Sequence, residues 1–81
     1  MLAMANKIGE MMDLTIVEIE KEYIIKNVLV DDSELSDFLF TLGCYSGEPI
    51  TVISRKKSHL IVAIKDARYS IDTALAKSII V

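Results

Sequence analysis

The clearest hydrophobic pattern in the chain is a stripe of four apolar residues at helical spacing. The stripe consists of Leu35, Phe38, Leu39 and Leu42. Residues at positions i, i+3, i+4 and i+7 share one face of an α-helix. The pattern therefore predicts a helix over residues 31–42 that packs this face on the core.

The residues before the stripe predict where the helix begins. Asp31 is suited to the N-cap, with Glu34 three residues later in a capping-box arrangement. Val30 would then pack on Leu35 as a hydrophobic staple. Acidic residues in the first turns also favour this helix, because its N-terminus carries a partial positive charge.

Two glycines predict how the helix ends and how the chain turns away from it. Gly43 can take the left-handed conformation that terminates a helix, which lets Cys44 pack back on Leu39. The next four residues, 45–48, are typical of a β-turn, with Gly47 at the position that needs a positive φ.

The rest of the pattern predicts short strands. In chain order we predict an extended lead-in at 14–19, a strand at 23–30, a strand at 50–55 after Pro49, a polar connection at 56–59, a central strand at 60–65, a strand at 68–71, a helical turn at 72–76 capped by Asp72, and a closing strand at 77–81. The predicted fold is mainly β. It is a small five-stranded, SH3-like antiparallel barrel with one α-helix, about 31–42, inserted after the first strand and a helical turn before the last.

Length and composition indicate one small domain. Of 81 residues, 52% are hydrophobic, so the chain can bury a core. Residues 1–12 contain all four methionines and little periodicity, and we predict a flexible N-terminus there and a folded domain at 13–81.

We find no signal-peptide pattern and no apolar run near the ~20 residues of a membrane helix. A single cysteine suits a reducing compartment, so we expect a cytoplasmic protein.

Charge is distributed unevenly along the chain. The net charge is −3, but residues 1–41 hold three lysines and nine acids, whereas residues 42–81 hold six basic and three acidic residues. The overall acidity and the expected lack of exposed aromatics between basic residues argue against nucleic-acid binding. Arg55, Lys56 and Lys57 form a local basic tip. The tip is either a solvated hairpin or a docking site for an acidic partner surface or for membrane headgroups.

The ordered set of glycines and apolar positions resembles the FeoA family of small iron-transport accessory proteins. The resemblance rests on Leu39, on the Leu42-Gly43 pair, on Gly47, on the strand at 50–53 and on the tail at 69–81, and it covers residues 12–81. It implies a cytoplasmic SH3-like domain that supports the ferrous iron transporter FeoB by binding its cytosolic portion. Domains of this type also occur in metal-dependent repressors, and the family is associated with transition metals.

Few side chains suggest a metal site. His59 and Cys44 are the only soft ligands, and they lie fifteen residues apart without a CxxC or HxxxH motif. We expect Cys44 to serve the helix end and treat His59 as the weak candidate for Fe²⁺ or another transition metal. Asp66 or Glu48 could complete such a site. No cofactor is required.

The inventory of chemical groups argues against an enzyme. Ser58 and His59 are adjacent in sequence, which disfavours a nucleophile–base pair, and no acid is placed to orient the histidine. No phosphate-binding glycine motif occurs.

Phe40 lies about 160° around the helix from the stripe. It either packs under residues 11–19 or forms an exposed aromatic anchor for a partner.

We therefore predict a non-enzymatic adaptor of ferrous iron uptake that binds the cytosolic part of a FeoB-type transporter and meets the membrane only through it. The partner-binding candidates are Phe40, Arg55, Lys56 and Lys57. The alternative is a free-standing SH3-like interaction module linked to metal-dependent transcriptional regulation.

Overall fold

A three-stranded meander in the second half of the chain forms most of the main sheet. The structure is a computed structural model that describes residues 12–81. Its strands are β1 (Glu22–Ile24), β2 (Asn27–Val28), β3 (Pro49–Arg55), β4 (His59–Ile64), β5 (Ala67–Asp72) and β6 (Ile79–Ile80), and its helices are α1 (Ser33–Leu42) and α2 (Thr73–Ala76).

All strand pairs are antiparallel and fall into two sheets. One sheet has the order β1-β3-β4-β5, and the other pairs β2 with β6. The predicted central strand is confirmed, since β4 lies between β3 and β5 and every second residue, beginning with Leu60, is buried. Pro49 opens β3 as expected, where its missing N–H costs no internal ladder bond.

The core lies on one face of this meander and is almost entirely aliphatic. Its largest fully buried side chains come from all parts of the described chain: Leu14, Val17, Ile25, Leu39, Cys44, Ile50, Val52, Leu60, Val62, Ile64 and Ile79. No polar or charged side chain is buried within residues 12–81. The predicted lead-in does cover the core edge, but through Leu14 and Val17 in a turn-rich segment.

The prediction of one strand at 23–30 was wrong. The chain changes sheets at Ile25 and Lys26, where the Ile25 N–H donates to the Glu48 carbonyl at 2.9 Å and the Lys26 N–H donates to the Ile80 carbonyl at 2.7 Å. At these two residues the backbone stops pairing with β3 and starts pairing with β6, so the segment forms the two short strands β1 and β2. The described residues therefore form six strands in two sheets without closing a five-stranded barrel, although the architecture fits a small SH3-like fold.

The N-cap of α1 lies one residue later than predicted. The Asp32 carboxylate caps α1 by accepting the Glu34 N–H at 2.8 Å and the Leu35 N–H at 3.3 Å. Asp31 is therefore not the N-cap, and neither the capping box nor the staple has its predicted register. Two adjacent aspartates are equally good caps in sequence, and the path of the chain after β2 decides between them.

The other end of α1 is as predicted. Gly43 has φ +94°, and its N–H donates to the Phe40 carbonyl at 3.0 Å while the Cys44 N–H donates to the Leu39 carbonyl at 2.8 Å. This is the Schellman arrangement. The turn at 45–48 and the Asp72 cap of α2 are also confirmed.

The apolar stripe of α1 does not pack as predicted. Leu39 is 1% exposed, but Leu35 and Phe38 are 42% and 49% exposed, and Leu42 is only partly buried. The core is already filled by the sheet and by the segment before β1, so it fully buries Leu39 alone, while Leu42 packs against its edge. The prediction of a flexible segment at 1–12 concerns, except for Met12, residues outside the described part of the chain.

Candidate partner-binding site

Phe40 stands on the outer side of α1 and is 64% exposed. It does not lie under the residues that precede β1. Its ring stacks on Tyr45, with centroids 4.6 Å apart and an interplanar angle of 29°. Stacking of this kind restricts an exposed ring, so Phe40 presents a pre-oriented apolar face to solvent.

A lysine completes the cluster on the Tyr45 side. Lys65 Nζ lies 5.9 Å from the centroid of the Tyr45 ring and 2.6 Å from Glu48 Oε1. The pKa of Lys65 is raised, chiefly by its hydrogen bond to Glu48. The ammonium group thus stays charged beside the aromatic pair at neutral pH.

Backbone geometry brings these side chains together. Gly43 lies where the chain reverses after α1, and a Cβ there would come within 2.8 Å of Lys65 Cε and 3.1 Å of Ile64 Cγ2. Lys65 itself has a positive φ of 56° in the β4–β5 turn. Glycine at the helix end therefore lets the lysine side chain cross it toward Tyr45.

The stacked rings separate two hollows, which we name the aromatic groove and the small groove. The aromatic groove, about 470 Å³, is lined by Phe40, Thr41, Leu42, Gly43, Tyr45, Ile64, Lys65, Asp66, Ala67 and Tyr69. The small groove, about 210 Å³, is lined by Asn27, Val28, Ser36, Phe40, Cys44, Tyr45 and Ser46. An exposed phenylalanine stacked on a half-buried tyrosine between two concavities is suited to anchoring a protein partner.

The basic tip has one member with a structural role. The Arg55 guanidinium donates from Nη1 to the Val17 carbonyl at 2.7 Å and to the Leu14 carbonyl at 3.5 Å, so it holds the segment before β1 against the sheet. Lys56 and Lys57 are exposed in the β3–β4 connection. Partner binding by these three residues stays a prediction, with Arg55 the least available.

The structure separates the residues considered for a metal. His59 is the first residue of β4 and is paired with Asp72 on the neighbouring strand β5. Asp66 follows the other end of β4. At about 3.3 Å per residue along a strand, His59 and Asp66 are therefore roughly 20 Å apart. Glu48 is engaged with Lys65. In residues 12–81, no group of three or more His, Cys, Asp or Glu side chains could hold a metal ion.

Cys44 is not suited to binding a metal ion in this structure. Its side chain is 2% exposed in the core, and burial raises the pKa of its thiol to about 11. Metal ligation and nucleophilic chemistry both use the thiolate. The residue therefore serves as a small apolar group at the helix end, as predicted.

Sequence reasoning placed Phe40 at the site but missed Tyr45 and Lys65. Tyr45 was assigned only to the turn, and Lys65 only to the end of a strand. A helix-ending glycine between two aromatic residues is a usable signal, since it folds the second ring back toward the helix. Nothing in the sequence indicates the position of Lys65, which depends on the register of β3 and β4.

The fold and this surface define a small SH3-like domain that presents an aromatic, cation-flanked groove. The FeoA domain model matches residues 12–81, and the chain belongs to the FeoA family. A solved structure with the same architecture is described as "Iron Uptake Regulatory Protein (FeoA)". It has a TM-score of 0.74 and 21% identity, over 88% of this chain and 93% of that one. No curated protein matches the sequence.

Proposed function

We propose that the chain is a non-enzymatic accessory protein of ferrous iron uptake that binds and modulates the cytosolic part of a FeoB-type transporter. Membership of the FeoA family supports the link to iron, and the structural relative carries iron uptake in its description. The protein would act in the cytoplasm and reach the membrane through its partner. No helix within residues 12–81 has both the length and the apolarity to cross a membrane.

The observation that carries the proposal is the exposure of Phe40. An aromatic ring that is 64% exposed and yet stacked at 4.6 Å on Tyr45 loses little conformational freedom when a partner covers it. Aromatic residues, phenylalanine among them, are enriched at protein–protein interfaces relative to the rest of the surface. The adjoining aromatic groove supplies a concave surface for the partner, and Lys65, paired with Glu48, forms part of its wall.

The test is binding of the purified chain to the cytosolic portion of the FeoB-type transporter from the same organism, measured by calorimetry. We expect Phe40→Ala to weaken binding by about tenfold or more. Phe38→Ala is the matched control, because Phe38 is also an exposed phenylalanine of α1 but does not line the aromatic groove. Equal losses in both variants, or no binding by the wild-type chain, would refute the proposal.

Fe²⁺ enters this function as cargo. Weak binding centred on His59 remains part of the proposal, and titration of Fe²⁺ into the wild-type chain and into His59→Ala tests it. Identical heats for the two proteins would exclude His59 as a ligand.

A further inference from the structure

A third hollow lies on a different side of α1, between the start of that helix and α2. We name it the capped groove. It measures about 180 Å³ and is lined by Val30, Leu35, Asp72, Ala74, Leu75 and Ser78. A cavity of about 150 Å³ holds a benzene ring, so the capped groove has room for one large apolar side chain.

The walls of the capped groove are apolar side chains that the fold leaves partly uncovered. Leu35 is 42% exposed although it belongs to the stripe that predicts a core-facing helix. Val30 and Leu75 are partly buried and pack against the core, so their positions are fixed. An exposed leucine beside two anchored apolar residues is a preformed pocket.

The rim of the capped groove is acidic. Asp31, Asp32 and Glu34 precede or flank Leu35 and are exposed, and Asp72 lines the groove itself. No lysine or arginine occurs from residue 27 to residue 54. Lys77, beside Ser78, is the nearest basic residue in sequence and does not line the groove.

The acidic side chains are not neutralised within the described chain. The ion pair found in residues 12–81 joins Lys65 to Glu48, on the far side of α1. Asp32 and Asp72 use Oδ1 to cap α1 and α2, which leaves the charge of each carboxylate facing solvent. The rim therefore favours a positively charged occupant.

From the apolar pocket and the charge around it, we propose that the capped groove docks a cationic amphipathic segment of a partner protein. One large apolar side chain would fill the pocket, and lysines or arginines on either side would face the acidic rim. The inference does not rest on the proposed function, because it concerns residues distinct from those of the aromatic groove.

The test uses a short peptide of leucine and lysine at helical spacing as probe, titrated into the isotope-labelled full chain and followed by NMR. We expect saturable shifts at residues 30–35 and 72–78, which weaken with added salt. The same peptide with glutamate in place of lysine should not bind.

Two matched pairs of variants sharpen the test. Leu35→Ala should weaken peptide binding about tenfold, whereas Ile16→Ala, which removes an exposed side chain elsewhere, should not. Neutralising Asp31 and Glu34 as D31N and E34Q should weaken binding several-fold at low salt only, whereas D66N should have no effect. Asp31 does not cap α1 and Glu34 is exposed, so these changes leave the fold intact.

Three results would overturn the inference. The first is the absence of saturable binding, and the second is a set of shifts centred on Phe40 and Tyr45. The third is concentration-dependent self-association that Leu35→Ala abolishes, because it would identify a second copy of the chain as the occupant.

Discussion

The β3–β4–β5 meander and helix α1 bury their apolar residues very differently. In β4, alternate residues are almost fully buried, and the strand is paired on both sides. In α1, Leu39 alone is buried, and the other apolar residues face solvent in part or in full. The meander holds the fold together, whereas α1 is fixed mainly at its two ends.

We infer from this difference that the meander stabilises the fold and that α1 supplies surfaces for binding a partner. Helices in proteins usually owe their stability to a packed apolar face, but α1 relies on the Asp32 cap, on the Gly43 terminator and on Leu39 between them. Of its remaining apolar side chains, Phe40 and Leu42 line the aromatic groove and Leu35 lines the capped groove. The following predictions test this division.

The largest expected effect is in the meander. Leu60→Ala should lower the free energy of unfolding by about 2–5 kcal/mol, because Leu60 is 0% exposed and its loss leaves a cavity. Leu35→Ala should lower it by less than about 1 kcal/mol, because that side chain is already partly hydrated. Urea unfolding followed by circular dichroism measures both, and similar losses would contradict the division.

The next effect is at the end of α1. Gly43→Ala should cost about 1–3 kcal/mol, because a Cβ at φ +94° is strained and crowds Ile64 and Lys65. Gly47→Ala is the control, because Gly47 has nearly the same φ of +93° but no atom within 4 Å of the added Cβ. The same unfolding measurement should give Gly43→Ala the larger loss. The reverse order would show that close approach to Lys65 is unimportant.

The smallest effect is at the start of α1. Asp32→Ala should cost about 1 kcal/mol, because it removes the acceptor for the Glu34 and Leu35 N–H groups. Asp31→Ala should change the free energy of unfolding by no more than about 0.5 kcal/mol. Thermal melts of the two variants compare them directly. A larger loss for Asp31→Ala would restore the cap position that the sequence predicts.

Local patterns allowed much of the fold to be predicted. The alternation in β3 and β5, the continuous apolar run of β4, the turn at Gly47 and the αL terminator at Gly43 depend on near neighbours in sequence. The break between β1 and β2 was missed, because it depends on hydrogen bonds from Ile25 to Glu48 and from Lys26 to Ile80. Such partners lie too far along the chain for periodicity to indicate them.

The candidate site was less accessible to prediction. Phe40 was singled out by its position opposite the stripe, but its stacking on Tyr45 became evident only in three dimensions. The basic tip was predicted as one group, yet Arg55 is bound to the Val17 carbonyl and differs from its two lysine neighbours. Contacts of this kind depend on the register between strands and on how a distant segment crosses them.

The sequence by itself determined which segments become strands after residue 48, where α1 ends and which family motifs the chain carries, because these follow from backbone preferences and side-chain spacing. Only the tertiary structure decided which apolar residues of α1 are buried. The stripe specifies a helical face, but the space beneath that face is set by Leu14, Val17 and the meander. Competition for a small core leaves Leu35 and Phe38 at the surface, and of these two Leu35 lines the capped groove.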